Sequence, residues 1–74
     1  MQRLLITEVI RDRADFYAAL GRMHKCGRPA PRNLDDLADF LRENKVRTIV
    51  AADLDMEDPA LFQVLRDQRV RLLR

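Results

Sequence analysis

The sequence predicts an α/β domain in which a small three-stranded parallel sheet packs with helices, in the order strand, helix, helix, strand, helix, strand. Apolar runs at residues 3–10, 46–52 and 69–74 have the composition of strands, and the segments between them carry apolar residues at helical spacing. Strands joined through helices can lie parallel, and right-handed crossovers then place the helices against the sheet.

The length of 74 residues allows one domain, residues 1–74, which buries only about 60% of the surface of its unfolded chain. With 47% hydrophobic residues and a net charge of +2, the composition is that of a globular protein. No apolar run reaches the roughly 20 residues that cross a bilayer, and the N-terminal apolar stretch is too short for a signal peptide. One cysteine, Cys26, cannot form an internal disulfide. We therefore expect a cytoplasmic protein that does not bind membranes.

Residues 3–10 are expected to form a mostly buried first strand, because five of these eight residues are large aliphatics. Asp12 can cap the helix that follows, and Gly27 is the expected end of that helix. Its apolar stripe comprises Phe16, Ala19, Leu20 and Met23. The side chains expected toward solvent or at the rim are Arg13, Tyr17, Arg22 and His24.

Residues 26–32 are predicted to be a stiff connector, because Pro29 and Pro31 remove amide donors and hold their predecessors extended. A helix over residues 34–43 follows, with Asn33 as its expected N-cap. On a 3.6-residue wheel, one side carries Leu34, Leu37, Ala38 and Leu41. The other side carries Asp35, Asp36, Asp39 and Glu43. The helix dipole favours the two acids of the first turn, but no structural need explains all four, so this face is predicted to be a binding surface.

The β-branched run at residues 46–52 predicts the central strand of the sheet. Asp58 and Pro59 predict the N-cap and the first position of a third helix. The apolar stripe of this helix comprises Leu61, Phe62, Val64 and Leu65. Residues 69–74 are expected to close the chain as a short strand.

The sequence favours a binding protein over an enzyme. One histidine and two glycines cannot supply a Ser-His-Asp arrangement or a Gly-rich phosphate loop, and His24 with Cys26 lacks the further ligands of a zinc site. Acids do follow the central strand, where α/β sheets place ligands, but turn chemistry and helix capping explain them without a metal. These acids are Asp53, Asp55, Glu57 and Asp58. We expect no catalytic residue, no metal and no cofactor.

The segment from Asn33 to Asp39 resembles the second helix of the barstar family, the small intracellular inhibitors of secreted ribonucleases. The family pattern Asn-Leu-Asp-x-Leu-x-Asp is matched by Asn33, Leu34, Asp35, Leu37 and Asp39, and residues 62–73 resemble the family's last helix and strand. The resemblance implies a barstar-like fold and an inhibitor or immunity protein whose acids enter the cationic cleft of a ribonuclease or another toxin. The resemblance also implies that Asp67 lies where the family makes a second acidic contact with its partner. The implied partner-binding residues are Asn33, Asp35, Asp36, Asp39, Glu43 and Asp67.

The chain departs from the barstar pattern around this segment. Pro29, Ala30 and Pro31 replace an aromatic residue and a glycine, Arg32 replaces an acid, and Ala38 replaces an aromatic residue within the helix. Aromatic anchors of this kind usually dominate interface energies. The family is also strongly acidic, whereas this chain is slightly basic, so long-range attraction to a cationic partner is expected to be weak.

An alternative prediction is a small basic module that uses surface arginines to bind nucleic acid or an acidic protein. The candidates are Arg28, Arg32, Arg47, Arg69, Arg71 and Arg74. Nucleic acid is the less expected partner, because most of the few aromatic residues fall on core stripes and the acidic helix face repels phosphate. The protein is expected to be a monomer, or a weak homodimer that pairs its closing strands.

Overall fold

The computed structural model describes residues 2–23 and 29–74. Six elements follow one another along the chain: β1 (Gln2–Ile6), α1 (Arg13–Gly21), α2 (Leu34–Glu43), β2 (Val46–Ala51), α3 (Pro59–Asp67) and β3 (Arg71–Leu73). The predicted α/β class and element order are confirmed. All three helices begin at the predicted N-caps, which are Asp12, Asn33 and Asp58.

The sheet has β2 at its centre, with β1 and β3 parallel to it on either side. One row across the three strands consists of Leu4, Ile49 and Leu72. The next row, on the opposite face because strand side chains alternate, consists of Leu5, Val50 and Leu73. Leu4 is 2% exposed and Ile49 is fully buried, whereas Leu5 is 59% exposed and Leu73 is 37% exposed. The helices therefore cover one face of the sheet and leave the other open.

The hydrophobic core lies between the covered face of the sheet and the three helices. Residues from all three helices join the buried strand residues in one cluster. The helical members are Phe16, Tyr17, Ala19 and Leu20 from α1, Leu37, Phe40 and Leu41 from α2, and Leu61 and Leu65 from α3. This cluster fixes the orientation of each helix, and with it the face that the helix presents to solvent.

The first strand is shorter and less buried than predicted. β1 ends at Ile6, and both Leu5 and Val9 are exposed. The prediction of a mostly buried run was wrong because only one face of the sheet is covered, so alternate residues point to solvent. Ile10 is still buried, since it forms an isolated parallel bridge to Leu54 after β2.

The first helix also ends earlier than predicted. α1 stops at Gly21, and the backbone N–H of Arg22 bonds to the carbonyls of the preceding turn. A β-carbon on Gly21 would lie 2.6 Å from that of Ala30, so the chain returning toward α2 packs directly on the helix end. Met23 therefore lies beyond the helix, although it still packs against the core. The predicted terminus, Gly27, lies outside the described residues.

Two side chains of α1 that were both predicted to lie toward solvent or at the rim have different exposures. Arg13 is partly exposed, as predicted, but Tyr17 is only 9% exposed and belongs to the core. The prediction that Tyr17 lies toward solvent or at the rim was wrong, because its ring packs in the hydrophobic core. His24 lies outside the described residues.

The closing strand is limited to three residues because the preceding residues complete α3. Arg69 has a positive φ of 58°, its N–H bonds to the carbonyl of Arg66, and the N–H of Val70 bonds to the carbonyl of Leu65. These two bonds form a Schellman motif, which satisfies carbonyls at the helix end. Residues 69 and 70 thus belong to the helix terminus, and β3 begins at Arg71.

Candidate partner-binding site on the second helix

The start of α2 is held by reciprocal side-chain hydrogen bonds. The backbone N–H of Asp36 donates to Asn33 Oδ1 at 2.7 Å, and the backbone N–H of Arg32 donates to Asp36 Oδ2 at 3.1 Å. The start of α1 has the same arrangement. The backbone N–H of Asp15 donates to the Asp12 carboxylate, and the backbone N–H of Arg11 donates to the Asp15 carboxylate. Asn33 and Asp36 therefore have structural roles as caps, in addition to the partner-binding role that the resemblance implies.

The outward face of α2 carries exposed carboxylates on a well-anchored helix. Leu37, Phe40 and Leu41 are buried on the inner side, whereas Asp35, Asp39 and Glu43 are exposed and Asp36 is half-buried. Because ten residues of helix rest on this buried stripe, the acids occupy fixed positions along about three turns. The structure thus places four of the predicted site residues together on one helix.

One acid of this face has an arginine beside it. Arg42 Nη2 lies 2.8 Å from Asp39 Oδ1, and the two side chains are 64% and 57% exposed. Ion pairs this exposed contribute little to stability, because water screens both charges. A partner cation can therefore compete for Asp39 at small cost.

Asp67 lies on a neighbouring helix. It is the last residue of α3, is exposed, and accepts a hydrogen bond from Gln63 Nε2 at 2.8 Å. α3 packs against α2, so Asp67 belongs to the same helix layer as the acids of α2. A shallow cavity of about 290 Å³ also lies at the start of α2, lined by Pro29, Ala30, Arg32 and Asp36.

An ion pair between the starts of α1 and α3 was missed by the sequence analysis. Arg13 Nε lies 2.7 Å from Asp58 Oδ2, and Arg13 Nη2 lies 2.8 Å from Asp58 Oδ1. Asp58 also caps α3 by accepting from the N–H of Leu61 at 3.2 Å. These hydrogen bonds, led by that from Arg13, hold the pKa of Asp58 below its ordinary value, although burial opposes the shift. No sequence signal joins two residues that are 45 positions apart.

The hydroxyl of Tyr17 is buried near this ion pair. It has no hydrogen-bond partner in the described part of the chain, and burial raises the pKa of the phenol. The aromatic ring of Tyr17 packs in the hydrophobic core.

Asp58→Asn is expected to change how stability depends on pH. A lowered carboxyl pKa stabilises the fold above the ordinary pKa of about 4, and this contribution is lost as the pH falls through the lowered value. Asparagine still caps a helix but has no charge for Arg13. We therefore expect the variant to unfold at lower urea concentration than the parent at pH 7, with the difference shrinking below pH 4. A difference that is equal at pH 7 and pH 3 contradicts this role of the ion pair.

The arginines of the alternative prediction are divided between two places. Arg47, Arg69, Arg71 and Arg74 are exposed on or beside β2 and β3, and Arg32 is exposed next to the cap of α2. Arg28 lies outside the described residues, as does Cys26. Residues 2–23 and 29–74 contain no group of three or more His, Cys, Asp or Glu side chains that could hold a metal ion. No helix in these same two stretches has the length and apolar composition needed to span a membrane.

Comparisons of this chain with protein-family models, with curated proteins and with solved structures gave no match.

Proposed function

We propose that the protein is an inhibitor or immunity protein of the barstar type. The acidic face of α2, formed by Asp35, Asp36, Asp39 and Glu43, occludes the cationic active site of a ribonuclease or another toxin. The observation that carries this proposal is the exposure of Asp35 and Asp39 on a helix that is anchored in the core by three buried residues, Leu37, Phe40 and Leu41. The element order and the N-cap at Asn33 agree with the resemblance.

The mechanism is electrostatic mimicry of a nucleic-acid backbone. A nuclease active site gathers arginine and lysine side chains that bind phosphate oxygens, and carboxylate oxygens form the same charge-assisted hydrogen bonds. Because α2 is anchored by its buried residues, the backbone that carries these acids loses little conformational freedom on binding. Asp67, exposed at the end of the neighbouring helix, is the proposed second acidic contact.

The overall charge gives little help to association with a cationic partner. At +2 the net charge provides no long-range attraction, so the local field of α2 must orient the encounter. Association is therefore expected at an ordinary rate, and specificity depends on the close pairing of individual acids.

The alternative, a nucleic-acid module, rests on the exposed arginines near β2 and β3. It has less support because a stacking platform needs exposed rings. Phe16 and Phe40 are fully buried, and Tyr17 belongs to the core. Phe62 is half-buried, so it cannot form an extended platform by itself.

Inhibition of purified ribonucleases tests the proposal. The parent protein is titrated into a panel of small basic ribonucleases, and cleavage of a fluorogenic RNA is measured. The double variant Asp35→Ala/Asp39→Ala is titrated in the same way. The control is Asp55→Ala/Glu57→Ala, which removes the same charge from the loop between β2 and α3.

The parent and the control are expected to inhibit at least one ribonuclease equally, and the α2 variant is expected to fail. Equal inhibition by all three proteins contradicts binding through α2. Absence of inhibition across the panel contradicts the ribonuclease as target.

A further inference from the structure

The outer edge of β3 is open to solvent and borders a groove. β3 pairs with β2 on one side only, so the backbone groups on its other side have no strand partner in the described sheet. The groove, about 440 Å³ in volume, runs between this edge and α3. Its accessible lining residues are Phe62, Arg66, Arg71, Leu72, Leu73 and Arg74.

The groove offers apolar surface on both sides of the strand. Phe62 on α3 and Leu72 on β3 are half-buried, and the buried Leu65 and Val70 line the same groove. Leu73 lies on the open face of the sheet, in one row with Val50 and Leu5. A chain beside β3 can therefore bury side chains on either face.

The charge around the groove has one sign. Arg66, Arg71 and Arg74 line it, and Arg69 lies in the turn that precedes β3. Within the described ranges, Arg66 bonds to the amide of Gln63, and none of these four arginines forms an ion pair with an acid. The edge thus presents unpaired hydrogen-bonding groups together with uncompensated positive charge.

This charge argues against a second copy as the occupant. Pairing two β3 edges across a two-fold axis brings arginines of both copies together, and like charges on neighbouring strands destabilise pairing. Three residues per strand supply too few hydrogen bonds to offset that repulsion. An occupant with acidic side chains gains the attraction that a second copy lacks.

We infer that the edge of β3 binds an extended acidic segment of a partner protein, which adds to the sheet as a fourth strand. Main-chain hydrogen bonds to β3 hold the segment, as in other cases of strand addition. Its apolar side chains, at alternate positions, face Phe62 and Leu72. Its acidic side chains lie on the other face beside Arg71. This surface involves none of the acids of α2, so the inference stands independently of the proposed function.

Strand addition makes a prediction that simple charge attraction does not. The probe is a fluorescein-labelled peptide of eight residues that alternates valine and glutamate, with both ends blocked. Only alternate N–H groups of an added strand point to β3. Two derivatives are N-methylated at alternate residues, one on each of the two alternating sets. Methylation of the set whose N–H groups point to β3 should abolish binding, measured by fluorescence anisotropy. N-methylation in the other register should change the dissociation constant less than about threefold, since those groups face solvent.

Arg71→Glu is expected to weaken binding of the unmethylated peptide by about tenfold or more, because it replaces attraction with repulsion beside the added strand. Arg11→Glu is the matched control. It makes the same charge change on an exposed residue between β1 and α1, at the other side of the sheet, and should change affinity less than about twofold. Circular dichroism of each variant verifies that it is folded.

The inference is overturned if the peptide does not bind at millimolar concentration, or if both methylation registers lose binding equally. Equal effects of Arg71→Glu and Arg11→Glu, or a dimer in sedimentation that the peptide does not dissociate, overturn it as well. Tighter binding of a single-stranded RNA of equal length, with the same dependence on Arg71, also overturns it and assigns the arginines to nucleic acid.

Discussion

Leu4→Ala is expected to destabilise the protein by about 2–5 kcal/mol, whereas Leu5→Ala costs less than about 1 kcal/mol. The two leucines are neighbours on β1 and the substitution is the same, but Leu4 is 2% exposed and Leu5 is 59% exposed. Truncation of Leu4 leaves a cavity between the sheet and the helices. Truncation of Leu5 removes only contacts on the open face.

Urea denaturation followed by circular dichroism measures both effects. A domain of 74 residues is expected to have a free energy of unfolding of about 4–11 kcal/mol, so Leu4→Ala removes a large fraction of it. Similar losses for the two variants contradict the arrangement in which helices cover only one face of the sheet.

Truncation of Asp35 or Asp39 is expected to weaken partner binding by about 2–5 kcal/mol for each residue. Most of this loss arises because the variant leaves a partner cation buried without its counter-charge. Both residues are exposed on α2 and contribute nothing to the core, so stability should change by less than about 1 kcal/mol, the upper value for the interaction of Asp35 with the helix dipole. Isothermal titration with the captured or inhibited partner measures the loss.

Arg42→Ala provides the matched control for Asp39. Arg42 forms an exposed ion pair with this acid, so its removal frees the carboxylate without taking away a predicted contact. The variant should bind as tightly as the parent or more tightly. Loss of binding on removal of Arg42 shows that the arginine itself contacts the partner.

The elements predicted well from the sequence are those determined by neighbouring residues. Asn33 caps α2 and Asp58 with Pro59 begins α3, because a cap side chain bonds to an amide only three residues ahead. The acids of α2 form one face for the same reason, since the helical repeat alone sets their positions. The candidate site was accessible to prediction because nearly all of it lies on a single helix.

The features that could not be predicted depend on residues far apart in sequence. The exposure of Leu5 depends on which face of the sheet the helices cover. The close packing of Ala30 against Gly21, at the end of α1, joins residues of two different segments. The pairing of Arg13 with Asp58 joins the starts of two helices that are separated by most of the chain.

Parallel affinity capture tests whether the acidic face of α2 binds a cationic protein. The parent, Asp35→Ala/Asp39→Ala and Arg42→Ala are immobilised and exposed to nuclease-treated lysate of the organism that makes the protein. We expect a cationic protein that is retained by the parent and by Arg42→Ala and lost by the double variant. Identical proteins on all three columns, or partners that are retained only from lysate without nuclease treatment, contradict binding through α2.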